Sequence, residues 1–226
     1  MSIIHTAIPD KIKGHIGEHN LANHLVELNG LDAELWFGVD YLPNVRDIDL
    51  ILFHKQAGLY LIEVKAVELD AIASFDLKNF RLKPNLERKH PQEQIRIAQI
   101  NLKTYVQDWS NIAKKPRHVP FMQTSIIWPL ILRSDWNARF TDPQIRKLSQ
   151  SMLFKDDIKS ARNLVEALQL LWANPLGPIP LRTVVVSIQG WKIYGNQFGL
   201  QSIKQNLAQL KNRKLVDQFR NRKIML

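Results

Sequence analysis

Apolar side chains recur along this chain at two spacings, and the spacings separate helices from strands. In residues 15–29, HIGEHNLANHLVELN, Ile16, Leu21, Leu25 and Leu28 fall at roughly helical intervals and Gly30 follows as a stop, which predicts an amphipathic helix. Residues 34–42, ELWFGVDYL, predict a short strand or extended segment. Residues 47–54 and 59–65 predict two antiparallel strands joined by a turn around Lys55–Gly58. A second hairpin is expected over 70–83, turning near Asp76–Asn79. Residues 91–109 carry a second amphipathic helix with Pro91 at its first position. Residues 123–132, QTSIIWPLIL, read as a buried strand, and Pro129 argues for an edge or a bulge there. Beyond them come a helix at 155–172, a strand or hairpin at 183–195 and a basic helix at 200–218. The Pro-rich NPLGPIP at 174–180 reads as a connector rather than a domain boundary. Helix, strands, helix, strand is the order of an α/β or α+β domain with a mixed sheet.

Composition narrows the class. The chain has 226 residues, enough for one medium domain or a domain with an extension. It is 45% apolar and 23% charged, as an ordinary soluble protein is. Apolar runs such as Ser125–Leu132 are too short to span a bilayer, so no membrane partner is expected. The first residues, MSIIHTAIPDKIKG, lack a basic segment followed by an apolar one, so no secretory signal is expected. There are no cysteines, which excludes disulfides and Cys-based zinc sites and suits a cytoplasmic location. No HExxH spacing occurs, and His15, His19, His24 and His90 read as surface or core histidines rather than ligands.

Charge changes the picture more. The net charge is +10, but residues 1–70 carry net −6, residues 71–199 net +10 and residues 200–226 net +6. A basic body around an acidic segment suits a polyanion binder with a metal-binding site, and it equally suits a soluble protein with solvated lysines.

The acidic segment contains the most unusual stretch, Asp47–Lys65, DIDLILFHKQAGLYLIEVK. Side chains alternate along a strand, so Glu63 and Lys65 share a face and Val64 takes the other. A turn centred near residues 56–57 sets Asp49 opposite roughly 63 to 65, where cross-strand neighbours share a ligand. Asp49, Glu63 and Lys65 are therefore expected to converge. Two adjacent carboxylates repel, and a hard divalent cation relieves that repulsion. Mg²⁺ (or Mn²⁺) takes one or two carboxylates plus waters and substrate phosphate. Lys65 beside it would orient water or stabilise transition-state charge. Glu18 is a further candidate ligand, and the Val64 carbonyl a backbone one. Each residue also has a plainer account. An Asp at a strand start caps turns, a Glu-x-Lys pair on a sheet face is often a solvated ion pair, and an acid suits a helix N-terminus.

In order along the chain stand Gly17-Glu18, Asp47-Ile48-Asp49 entering an apolar strand, Gly58, Ile62-Glu63-Val64-Lys65, and His90-Pro91-Gln92-Glu93-Gln94 opening a helix. This constellation resembles the PD-(D/E)xK nuclease superfamily and, within it, the nuclease-related domain family called NERD, over about residues 14–132. Three features depart from that pattern. Asp47 stands where a Gln is usual, His90 stands where the Asn of Asn-Pro-x-x-Gln is usual, and the turn between the strands is about one residue longer. The resemblance implies a restriction-endonuclease-like mixed sheet flanked by helices over residues 1–135. Residues 136–226 would then form a C-terminal α/β extension packed on that core and ending in a basic tail helix. It implies Asp49, Glu63 and Lys65 as catalytic residues with Glu18 and Gln94 accessory, and Asp49, Glu63, Val64 and Glu18 around the metal. The implied activity is metal-dependent hydrolysis of phosphodiester bonds in nucleic acid, DNA before RNA. Lys78, Arg81, Lys83, Arg88, Lys89, Lys204, Lys211, Arg213 and Lys214 are the candidates for phosphate contact. Two alternatives stand beside it. One is a non-catalytic nucleic-acid-binding or docking module with this fold. The other is a nuclease active only when docked to a helicase or recombination partner.

Overall fold

The computed structural model describes residues 2–4, 8–9, 16–40, 47–54, 56–84, 86–112 and 122–173, with backbone alone for 106–112 and 172–173. The expected elements at 183–195 and 200–218, and Lys204, Lys211, Arg213 and Lys214 with them, lie outside these residues. The elements are β1 (Ile3–Ile4), α1 (Ile16–Glu27), β2 (Ala33–Val39), β3 (Ile48–His54), β4 (Gly58–Val64), a 3-10 turn (Leu69–Ala71), β5 (Ile72–Phe75), β6 (Phe80–Leu82), β7 (Leu86–Arg88), α2 (Pro91–Ile112), β8 (Met122–Trp128), α3 (Arg133–Arg139), α4 (Pro143–Ser149), β9 (Met152–Phe154) and α5 (Ala161–Ala173).

Strands β3, β4 and β8 are largely apolar and buried on both faces, because both faces are covered. They form the centre of a six-stranded mixed sheet in the order β1-β2-β3-β4-β8-β9. The β2-β3 and β3-β4 pairs are antiparallel, and β1-β2, β4-β8 and β8-β9 are parallel. On one face Leu21 and Leu25 of α1 and Leu164 and Leu168 of α5 bury Leu35, Leu52, Tyr60 and Ile62. The Tyr60 hydroxyl reaches the Leu168 carbonyl at 2.5 Å. On the other face Ile95, Ala98 and Leu102 of α2 cover Trp36, Ile51 and Leu61. The mixed α/β class is the expected one.

A second sheet, β5-β6-β7, docks on the β8-β9 side through an aromatic cluster of Phe75, Phe80, Trp128, Trp136 and Phe154. The expected 70–83 hairpin is thus two strands of three, with Lys83-Pro84 turning the chain into β7.

Two expectations are corrected. Strand β8 ends at Trp128, so Pro129 falls in the following turn and the strand is internal, paired with β4 and β9. The helix expected from residue 155 starts at Ala161. The Asp157 carboxylate accepts the Phe154 N–H at 2.8 Å and an Arg133 guanidinium N–H at 2.7 Å, which holds 155–158 as a turn after β9. Helices α3 and α4 have no counterpart in the sequence-based reading. Among the described residues, no helix is long and apolar enough to cross a membrane.

Candidate active site

The β3-β4 register pairs Leu50 with Ile62, and one further residue along it brings Asp49 opposite Glu63. Both belong to the sheet face that α2 covers, by their alternation with Ile51 and Leu61. The Asp49 Oδ2 accepts the Val64 backbone N–H at 2.7 Å. The Lys65 Nζ lies 2.5 Å from Glu63 Oε1. Lys65 follows the last residue of β4, but its N–H still donates to the Ile127 carbonyl at 2.9 Å, so β8 holds its backbone. The convergence expected from strand alternation is present.

The plainer account of Glu63 and Lys65 as a solvated pair does not match this setting, because Glu63 is only 4% exposed. Asp49 is perturbed most. Burial, then the charge of Glu63, pushes its carboxyl up to about 7, against the Val64 N–H bond, which favours the ionised form. Glu18 adds to the rise and Lys65 opposes it. Asp49 is therefore the acid beside Glu63, while Asp47 is exposed ahead of β3.

A cleft of about 750 Å³ opens next to these groups. Ile16, Gly17 and Glu18 of α1 form one wall, and Val64, Lys65, Ala66 and Val67 another. Phe80, Leu82, Glu87, Arg88 and Lys89 come from the small sheet and its exit, and Gln94 comes from the first turn of α2. Close packing brings α1 here: a Cβ added at Gly17 would lie 1.9 Å from the Ala66 Cβ, so only glycine lets that backbone approach.

His90 sets the other side. It is buried, its Nε2 donates to the Asp76 carbonyl at 2.9 Å, and its Nδ1 accepts the Gln92 N–H at 3.3 Å. The ring thereby joins the β5-β6 turn to the start of α2. Burial lowers its pKa, consistent with the neutral ring these two bonds require.

Of the expected site residues, Glu18, Val64, Lys65, Gln94, Arg88 and Lys89 line one cleft, and Glu63 meets it through Lys65. Lys78, Arg81 and Lys83 are not among its walls. Sequence reasoning overlooked the apolar walls Ile16 and Val67, and also Phe80, Leu82 and Glu87, which only the packing of the second sheet brings here. Among the described residues, no group of three or more His, Asp or Glu side chains is gathered as a metal site.

The chain matches the nuclease-related domain family, NERD, over residues 13–129, more than half its length, and it belongs to that family. No curated protein and no solved structure gives a significant match.

Proposed function

We propose that this chain is a metal-dependent nuclease that hydrolyses phosphodiester bonds in DNA, in the reducing cytoplasm that a cysteine-free sequence suits. The observation that carries this reading is the juxtaposition of Asp49, Glu63 and Lys65 beside a cleft with cationic walls. Burial first, and the second carboxylate after it, raise the Asp49 carboxyl to about 7, so its ionised form lacks the compensation that a cation would supply. Two carboxylates are within what Mg²⁺ needs, since it keeps waters and substrate phosphate for its remaining positions. Asp49 and Glu63 would hold the ion, with the Val64 carbonyl and Glu18 as further donors. A bound Mg²⁺ or Mn²⁺ supplies Lewis-acid chemistry, lowering the pKa of water and offsetting charge on the phosphate.

The chain's own groups do the rest. Lys65 orients the attacking water or donates to a phosphate oxygen from its place against Glu63. Arg88 and Lys89 neutralise phosphates flanking the scissile one. The Gln94 amide positions the substrate from the start of α2. Water's oxygen joins phosphorus and the leaving sugar oxygen departs with a proton.

The test is cleavage of supercoiled, linear and single-stranded DNA in Mg²⁺, Mn²⁺ or EDTA, with Glu63→Ala and Lys65→Ala beside the wild type. Metal-dependent cutting lost in both variants is the expected result. A wild type that binds DNA and never cuts it would replace this reading with a non-catalytic module or a nuclease awaiting a helicase or recombination partner.

A further inference from the structure

We infer that the cleft takes single-stranded nucleic acid, and that a duplex reaches the reactive groups only where its strands are parted. The inference deepens the nuclease reading and rests on it for the chemistry, but the binding preference stands on the shape and lining of the cleft alone.

The reactive groups are recessed. Glu63 is 4% exposed, and the side chain of Lys65, which fronts it, is 19% exposed. A phosphate must enter the cleft to meet them. A cleft of about 750 Å³ is the size that encloses a drug-sized molecule, which for nucleic acid means a nucleotide or two. A single strand bends and threads a phosphate inward, whereas a stacked duplex is stiff and keeps its backbone on a regular helix.

The lining agrees. One part is apolar, from Ile16, Val64, Val67 and Leu82, and another is cationic, from Arg88 and Lys89. A single strand presents both complements at once, an unstacked base and a charged backbone. An intact duplex hides its bases and would leave the apolar part wet. In β6-β7 the register sets Leu82 beside Leu86, which is 53% exposed, and Phe80 beside Arg88. The apolar strip therefore continues outward from the cleft next to the cation that would take the phosphate.

The experiment is fluorescence anisotropy of the full chain carrying Glu63→Gln, in EDTA, with labelled single-stranded, blunt duplex and forked DNA of one sequence at one salt concentration. Single-stranded and forked DNA binding about ten-fold or more tighter than blunt duplex is expected. Lys89→Ala, at an exposed side chain, and Leu82→Gln should each weaken the single strand by a clearly larger factor than the duplex. Equal affinities, tighter duplex binding, or variants that weaken both forms alike would overturn the inference. Because this measurement needs no cleavage, a failure of the nuclease reading leaves it intact. The same DNAs tested with the wild type in Mg²⁺ should show cutting confined to single-stranded and forked forms. Blunt duplex cut as fast as single strand would overturn the inference while upholding the nuclease.

Discussion

The Asp49 carboxylate accepts the Val64 backbone N–H at 2.7 Å, so the acid that begins β3 is tied to the residue between Glu63 and Lys65 at the end of β4. This bond crosses the strand pair at the point where regular pairing stops. It pins the Asp49 carboxylate to the β4 backbone beside Glu63, whose own carboxylate is held by Lys65. It also holds a buried acid next to a second acid, an arrangement that costs stability unless a cation or a proton is present.

That cost has a pH signature. The Asp49 carboxyl is raised from 3.8 to about 7, so the folded chain binds the extra proton across that window and the unfolded chain does not. Stability from this group is fully present below 3.8 and is lost as pH rises through about 7. Asp49→Asn keeps an oxygen for the Val64 N–H and removes the charge. In EDTA it should raise Tm at about pH 8, by an amount corresponding to a few kcal/mol at most, and the gain should fade towards about pH 4. Thermal melts at both pH values check it, and a gain independent of pH would contradict the buried like-charge pair.

The same pair makes stability depend on metal. Mg²⁺ or Mn²⁺ should raise the Tm of the wild type near pH 8, since a ligand at a hundred times its Kd adds about 2.7 kcal/mol to folding. Asp49→Asn and Glu63→Gln should lose that shift. Protons compete for the same oxygens, so the shift should shrink as pH falls through about 7. Calorimetric titration of metal into wild type and both variants gives an independent readout. Equal metal binding by all three would place the ion elsewhere.

How much was legible in the sequence depended on how local the signal was. The Asp49–Glu63 pairing follows from strand alternation and one turn length, and both are written in residues 47–65. The start of α2 at Pro91 is local too, since proline fits a first helical position. Helices α3 and α4 have seven residues each, too short for a periodic signal to stand out. Pro129 misled because the rule against proline in a strand interior says nothing about one just past the strand end. The walls Leu82, Arg88 and Lys89 reach the cleft only because Phe75 and Phe80 dock a second sheet on Trp128 and Trp136. No spacing along the chain encodes that docking.

Gly17 carries a steric prediction. Alanine is favoured over glycine within a helix by about 1 kcal/mol. Here the added Cβ would lie 1.9 Å from the Ala66 Cβ, so α1 must shift away from the end of β4. Overpacking of this kind costs about 1–3 kcal/mol, which outweighs the propensity gain. Gly17→Ala should therefore lower stability in urea denaturation, and adding Ala66→Gly should restore most of the loss. Purely additive effects in the double variant would show that this contact does not set the position of α1.

His90 carries the last. The neutral ring accepts from Gln92 and donates to Asp76 while packing 4.9 Å, centre to centre, from the Phe75 ring. Protonation removes the acceptor that Gln92 uses. Burial has already lowered the pKa, so the stability contributed by the neutral ring is present above 6.5 and is lost as pH falls through the lowered value. His90→Asn keeps an acceptor near the Nδ1 position but is too short to reach Asp76. His90→Gln places a donor near the Nε2 position and loses the acceptor. Each should cost about 1 kcal/mol or more at pH 7.5, the scale of one hydrogen bond plus lost ring packing, and His90→Ala should cost more than either. Neither amide titrates, so the difference from wild type should narrow towards pH 5. Urea denaturation of the four proteins at the two pH values decides it. If the Asn and Gln variants track the wild type in parallel across that range, the neutral ring is not what joins the β5-β6 turn to α2.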